Sequence, residues 1–241
     1  MVSTVKVDVV APRVATGTTT LGVSGDKLVI PSGVTLTNSG TATGFASGFH
    51  RLVVKTASDA TYSPDTDVTK IIVEVQGGGG GSGDTTGSTG TSSGAGGGYV
   101  MKALTVTSSY VINIQIGAGG VNGTTTGTAG SASSVTYVSG GSSFTTLTAG
   151  GGAAGGLTVQ GAAGGTATGG DLNIPGGYGS MENQNSSGGH SWFGYGGMST
   201  GTGNPQARDG VGYGSGASQA AASTGIGGDG AAGLVLIWEY K

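Results

Sequence analysis

Histidine, carboxylate and aromatic side chains are the groups in this sequence with chemistry to offer, and they are few. The 241-residue chain carries 2 histidines, 12 Asp and Glu, 9 Lys and Arg, and no cysteine. His50 and His190 are too far apart in sequence to suggest a metal pair. Without cysteine, neither a disulfide framework nor a thiolate metal site is open to the chain. Asp171, Glu182, Asp209 and Asp229 could supply the two carboxyl groups of a glycosidase, but that chemistry needs a set separation in space that spacing along the chain does not fix. Gly169-Gly170-Asp171 resembles one glycine-aspartate calcium turn, and the tandem repeat such sites need is missing. Gly78-x-Gly80-x-x-Gly83 spells a dinucleotide fingerprint, yet that motif must open a helix. The next residues, Asp84-Thr85-Thr86-Gly87-Ser88-Thr89-Gly90, cannot be that helix. The expectation is a chain with no catalytic residue, no metal and no cofactor.

The denser signal is aromatic. Tyr178, Met181, His190, Trp192, Phe193, Tyr195, Met198 and Tyr213 stand among Gly, Ser and Asn. Rigid aromatic anchors beside adaptable polar neighbours make a recognition surface. The competing reading is that some of these rings cover glycine layers and supply the little apolar burial available. Trp192 and Phe193, with Trp238 further on, are assigned to the framework. Tyr178, Met181, Asn183, Asn185, His190, Tyr195, Met198, Arg208 and Tyr213 are assigned to binding a partner.

The elements that must position these residues are set by glycine. It fills 56 of 241 positions, and charged residues are only 9%, against an ordinary ~25%. A conventional core built on Leu, Ile and Phe is not expected over the middle of the chain. The stretch 77–233 holds most of the glycines and is bracketed by Ile71-Ile72-Val73-Glu74-Val75 and Leu234-Val235-Leu236-Ile237-Trp238, which read as the strands that open and close one domain. Between them, 104–116 alternates: Leu104, Val106, Tyr110, Ile112, Ile114 and Ile116 share one face, with Ser108-Ser109 marking a turn between two halves. Residues 135–138 and 144–147 read as a hairpin, 52–54 as a further strand, and 61–67 as a loop. From 150 to 230 only 171–174 reads as a strand, and Gly, Ser and Thr are too dense for any helix. Runs such as 150–152, 164–165, 169–170 and 176–177 suit extended three-residue-per-turn segments packed side by side. There any Cβ would hold the backbones apart. The glycines keep no every-third register, which excludes collagen.

Residues 1–45 read as a separate region. Residues 4–9 alternate as a strand, and short apolar pairs with turns come after it, such as Leu28 and Ile30 before Pro31-Ser32-Gly33. Such short strands fit either winding with identical copies about an axis or a small sheet packed on the main domain. No basic stripe points to nucleic acid, no apolar run is long enough for a membrane span, and the first residues do not read as an export signal.

Several of these pieces, in this order, carry a family likeness. Gln76-Gly77-Gly78-Gly79-Gly80-Gly81, Ile116-Gly117-Ala118-Gly119-Gly120, Gly169-Gly170-Asp171-Leu172-Asn173-Ile174-Pro175-Gly176-Gly177, Ser191-Trp192-Phe193-Gly194, Tyr213-Gly214-Ser215-Gly216 and the ending Gly230-Ala231-Ala232-Gly233-Leu234-Val235-Leu236-Ile237-Trp238 together resemble the glycine-rich C-terminal domain of tailed-bacteriophage tail fibres. The likeness covers residues 49–241. It implies a virion protein, made in the host cytoplasm and usually homotrimeric, whose distal loops touch the host surface. It also implies that Trp192 and Phe193 hold a recurrent framework position. The expected architecture is all-β: a short N-terminal attachment and trimerisation region, 1–45, then a glycine-rich receptor-binding domain, 46–241, with polyglycine-II-like segments, the copies intertwined as a homotrimer. Expected partners are other virion proteins through 1–45 and a host surface glycan or outer-membrane protein, with no nucleic acid and no membrane insertion. The alternatives are a head fibre or decoration protein without a specific receptor, a polysaccharide depolymerase, and a non-viral glycine-rich wall protein.

Overall fold

Apolar side chains at every second position pair as strands, and glycine runs between them pack as a bundle. The computed structural model describes residues 48–84, 92–156, 161–180, 186–198, 206–220 and 225–241, all within the unit Ala46–Lys241. The strand expected at 4–9, the apolar pairs after it, Met181, Glu182, Asn183 and Asn185 lie outside the described residues. Those described hold twelve strands and no helix: β1 (Phe49–Lys55), β2 (Asp59–Tyr62), β3 (Lys70–Gln76), β4 (Tyr99–Thr105), β5 (Val111–Gln115), β6 (Ser133–Ser139), β7 (Leu147–Ala149), β8 (Ala167–Thr168), β9 (Leu172–Ile174), β10 (Phe193–Tyr195), β11 (Val211–Tyr213) and β12 (Leu234–Tyr240). One antiparallel sheet runs β1-β12-β3-β4-β9, a second runs β2-β5-β6-β7-β8, and β10 and β11 form a ribbon.

The opening and closing strands are direct neighbours, with Lys70 opposite Tyr240 and Gln76 opposite Leu234. The alternation read at 104–116 is seen as burial. Leu104, Val106, Tyr110, Ile112 and Ile114 are buried and Ile116 packs against them, while Ser108 and Ser109 form the turn between β4 and β5. Ile71, Val73, Val75 and Ile237 from the first sheet meet Ile112, Ile114, Val135 and Leu147 from the second in one core. Each such side chain stabilises by about 1.5–3 kcal/mol, so this small sandwich is the apolar anchor of the domain.

Three sequence expectations are corrected. Residues 61 and 62 belong to β2, because pairing with β5 carries the strand to Tyr62, and the loop begins only at the residues around Pro64. The hairpin pairs β6 with β7 at Val135 opposite Leu147, so Phe144 sits in a longer connection. Gly140, at φ 89°, lies in that connection in a left-handed conformation that a side chain would strain. Between 150 and 230 the short strands β8, β10 and β11 join the expected one; two or three residues are too few to show a period.

Strands run straight out of the sandwich into glycine segments. β3 continues into 76–83, β5 into 117–123, β7 into 150–156 and β9 into 175–180, and other segments return into β4, β6, β8 and β12. The segment 76–83 reveals the geometry. The N–H groups of residues 77 to 82 bond in turn to the carbonyls of Gly98, Ser131, Ala231, Ala95, Thr128 and Gly228. Each neighbouring segment therefore recurs at every third residue, as a three-residue-per-turn helix without internal hydrogen bonds requires. Its carbonyls accept from Gly120, Gly152 and Ala217 on three further segments. Segment 92–98 repeats the pattern: N–H groups to Gly156, Ser180, Ala217 and then Ala153, Gly177, Gly214, carbonyls from Gly80, Gly165 and Gly189. Both segments are thus enclosed on all sides by backbone, and their polar groups are paired as burial demands. A Cβ on Gly80 would overlap the Ala153 carbonyl. Runs 150–152, 164–165 and 176–177 lie in the bundle as read; 169–170 does not, since Gly169, at φ 89°, turns β8 into β9.

Candidate functional site

The bundle has one end in the sandwich and one end away from it. At the far end stand the described residues that flank 85–91, 157–160, 181–185, 199–205 and 221–224. Their placement rests on bonds that join them: Ser92 to Gly156, Ser93 to Ser180, Ser180 to Ser187, and Ala207 to Ile226. One connection at this end is itself described, with Thr124, Thr125 and Thr126 exposed. Asp84 and Asp229 hold the backbone here, accepting from the Gly227 and Asn122 N–H groups at 2.7 Å each. Asp209 accepts from the Asp229 N–H at 2.8 Å.

Among the described residues, the expected binding residues do not form one cluster. Tyr178 and Tyr195 are 76% and 74% exposed on the flank of the bundle. Between their segments runs 186–190, bonded to one through Gly177 N–H and His190 O and to the other through Gly188 N–H and Gly197 O. His190 meets Tyr195 edge to face, with ring centroids 5.8 Å apart. Its Nδ1 accepts the Gly196 N–H at 3.2 Å. Met198 is exposed on the same segment as Tyr195, and Arg208 is exposed on the next, its N–H held by Ser218 Oγ at 2.7 Å. Tyr213 sits opposite Phe193 in the β10–β11 ribbon.

Trp192 and Phe193 belong to the sandwich end. Trp192 stacks on Tyr99 at 5.1 Å and Phe193 meets the same ring edge-on at 5.8 Å. Tyr99 is buried beneath them, and its hydroxyl donates to Glu74 Oε2 at 2.9 Å. Burial and that bond push the Tyr99 phenol well above its ordinary value. Trp238 Nε1–H donates to the other Glu74 oxygen at 2.6 Å. Tyr99 and Glu74 escaped the sequence reading; an aromatic at the first strand position after Gly96-Gly97-Gly98 was the available signal.

A second polar group lies at the edge of the first sheet. A bulge between Phe49 and Arg51 places both His50 and Arg51 toward Glu239 on β12. Glu239 is fully buried. Arg51 Nη2 donates to its Oε1 at 3.0 Å and Nε faces its Oε2 at 2.7 Å, the latter an ion pair outside hydrogen-bond alignment. Tyr62 also donates to Oε1. Asp65 meets His50 and Arg51 at 3.1 Å each. The bond from His50, then the charge of Arg51, hold the Asp65 carboxyl below its ordinary value. His50, Asp65 and Glu239 bring three potential metal-ligand atoms within 4.8 Å. Arg51 already compensates both carboxylates, so the donor set fits an ion-pair network better than a cation. Of the carboxylates weighed for hydrolysis, Asp171 is paired with Lys102 at 2.8 Å and accepts the Ala103 N–H at 3.0 Å. Those contacts, Lys102 first, lower its carboxyl from the ordinary value.

The geometry defines an all-β protein in which a small sandwich carries a bundle of extended glycine segments. The chain belongs to the glycine-rich domain family, which it matches over residues 55–240. Among curated proteins none matches it.

Proposed function

We propose that this chain is a bacteriophage tail-fibre or fibre-tip protein that binds the host cell surface during adsorption. The observation that carries the reading is the one-ended construction of the bundle. Strands anchor the glycine segments in the sandwich, and the described residues that flank five further connections stand at the opposite end. A stiff pedestal of paired backbone presenting several connections together suits recognition, since loops on a rigid scaffold carry binding. Exposed tyrosines on the flank extend that surface without a hydrophobic core behind them.

On this reading the protein works on the virion as a homotrimer, joined to other virion proteins through residues 1–45, and its ligand is a surface glycan or an outer-membrane protein. Several fibres on one particle then bind together, so each contact can be weak. The test is direct cell binding. Labelled protein is added to a panel of bacterial strains and bound label is counted by flow cytometry. Specific binding to some strains is expected, reduced for Tyr178→Ser and Tyr195→Ser with unchanged melting temperature. Binding to no bacterial envelope, or to all strains equally, would remove the adhesion reading.

A further inference from the structure

The flank that carries Tyr178 and Tyr195 is a flat row of three segments. Segment 186–190 has four neighbours in succession. It bonds to 175–180 through Gly177 N–H and His190 O, to 92–98 through Gly189 N–H and Gly94 O, to 214–219 through Gly216 N–H and Gly189 O, and to 194–198 through Gly188 N–H and Gly197 O. Each of the four also bonds to the next: Gly96 N–H to Gly177 O, Gly94 N–H to Ala217 O, and Gly197 N–H to Gly216 O. The enclosed segments of this bundle meet six neighbours around a full circle. Four in succession therefore span half a circle and set 175–180, 186–190 and 194–198 in one line. On the open side Tyr178, His190, Tyr195 and Met198 are exposed, while Gly179, Gly189, Gly196 and Gly197 beside them are buried, as three residues per turn require. Gly177 lies opposite His190 and Gly197 opposite Gly188. Tyr178, His190 and Tyr195 thus stand level along the bundle, to within about one residue's rise of ~3.1 Å. Hydrogen-bonded backbones lie about 4.8 Å apart, which puts about 10 Å between the first segment and the third.

We propose that this row holds two successive uncharged sugar rings of a surface glycan, one against Tyr178 and one against Tyr195. The proposal rests on the adhesion reading above, and it names the ligand class and the side of the bundle that takes it. A sugar ring offers C–H bonds on its faces and hydroxyls around its edge, so it needs apolar surface and hydrogen-bonding groups side by side. The two exposed phenol rings supply the first. For the second, the Tyr178 and His190 N–H groups have no partner among the described residues, whereas those of Gly177, Gly179 and Gly189 around them do. His190 is a positioning residue: its ring meets Tyr195 edge to face at 5.8 Å and is itself held by the Gly196 N–H. No carboxylate, lysine or arginine stands among the exposed side chains of the row, so a charged polymer finds nothing there to pair with. The strip is also too small for a protein partner. Two turns of it cover about 200 Å², against the roughly 800 Å² that each side of a stable protein interface buries. A narrow glycan chain fits such a strip, and its weak hold on one copy is multiplied when several copies bind together.

The test uses the labelled full chain and a bacterial strain that it binds. Cells are left untreated, oxidised with periodate to cleave the diols of surface sugars, or digested with protease to strip surface proteins. The polysaccharide freed from that strain's envelope by mild acid is then titrated into the protein by calorimetry. Periodate is expected to abolish cell binding and protease to leave it. Tyr178→Ala and Tyr195→Ala should each weaken polysaccharide binding about fivefold or more, as truncating an aromatic anchor does. Tyr195→Phe, which keeps the ring face, should stay close to wild type. All three should melt as wild type does, since both rings are largely exposed. Binding lost to protease but kept after periodate would overturn the inference and leave the adhesion reading standing, with an envelope protein as the ligand. Polysaccharide binding undiminished in both alanine variants would overturn it too, by moving the contact off this flank. Binding to no strain would remove the adhesion reading and the inference together.

Discussion

At Gly80 the space of a side chain is taken by the Ala153 carbonyl. Alanine there would force the enclosed segment 76–83 away from its neighbours and loosen the bonds to Ala95 and Ala217. The expected loss is about 3 kcal/mol, a fall in melting temperature of roughly 6–12 °C. Gly48 is the control, since a Cβ there meets nothing within 4 Å. Gly48→Ala should be neutral or stabilise by up to about 1 kcal/mol. Equal effects in thermal melts would mean that close backbone approach is not what glycine supplies. Asp171 makes a second prediction. Its carboxyl is held low by Lys102 and the Ala103 N–H, so the folded state binds its proton more weakly than the unfolded chain. The stabilisation is fully present above the unfolded value near 4 and is lost as pH falls through the lower folded value. Asp171→Asn should lower the melting temperature slightly at pH 7 and leave it unchanged near pH 2, about where wild type has lost the contact too. A constant difference across that range would mean that the carboxylate charge is not involved.

Among the elements, β1 depends most on a contact that its sequence does not advertise. Its bulge lets His50 and Arg51 reach the same buried carboxylate on β12, and Tyr62 at the end of β2 completes the site. Replacing Arg51 with methionine leaves Glu239 buried without its cation, a change that costs about 3–5 kcal/mol in comparable buried pairs. Urea titration at pH 7 should show that loss for Arg51→Met and a smaller one for Arg51→Lys, which keeps a positive charge beside the carboxylate. Equal losses in the two variants would mean that the shape of the guanidinium, not its charge, is what the site requires. This element also marks what could be read in advance. The strands at 70–75, 104–116 and 234–238 were legible because period-two alternation is written in side chains, and their burial matches it. The network was not, since 188 positions separate Arg51 from Glu239 and only the folded register brings them together. The aromatic residues were legible by type, but where each one stands in the fold was not. Trp192 and Phe193 do lie at the sandwich end, while Tyr178 and Tyr195 stand apart on the flank, because hydrogen bonds between glycine segments decide which ring neighbours which.

For the molecule as a whole, glycine poses the energetic question. Each ordered Gly loses more backbone entropy than Ala, by about 0.5–1 kcal/mol, and it buries no apolar side chain in return. What offsets that loss is backbone pairing: in the two enclosed segments the N–H groups of residues 77–82 and 92–98 each find a carbonyl, a net gain of about 0.5–1.5 kcal/mol apiece, with Cα–H contacts added. The sandwich supplies the rest by fixing where the segments start. The composition announced such a bundle, but not which segment sits beside which, because glycine has no side chain in which to encode a neighbour. The same imbalance sets the heat capacity of unfolding. Exposing apolar surface raises it and exposing polar surface lowers it, at about +0.45 and −0.26 cal/mol/K per Å². Here the apolar core is confined to the sandwich, and the bundle exposes mostly N–H and C=O when it opens. The heat-capacity change, measured by scanning calorimetry at several pH values, should therefore fall below the usual 12–15 cal/mol/K per residue, to about 10 or less. A value within the usual range would mean that apolar burial, not backbone pairing, carries the bundle, and the enclosed segments would then owe their order to the sandwich alone.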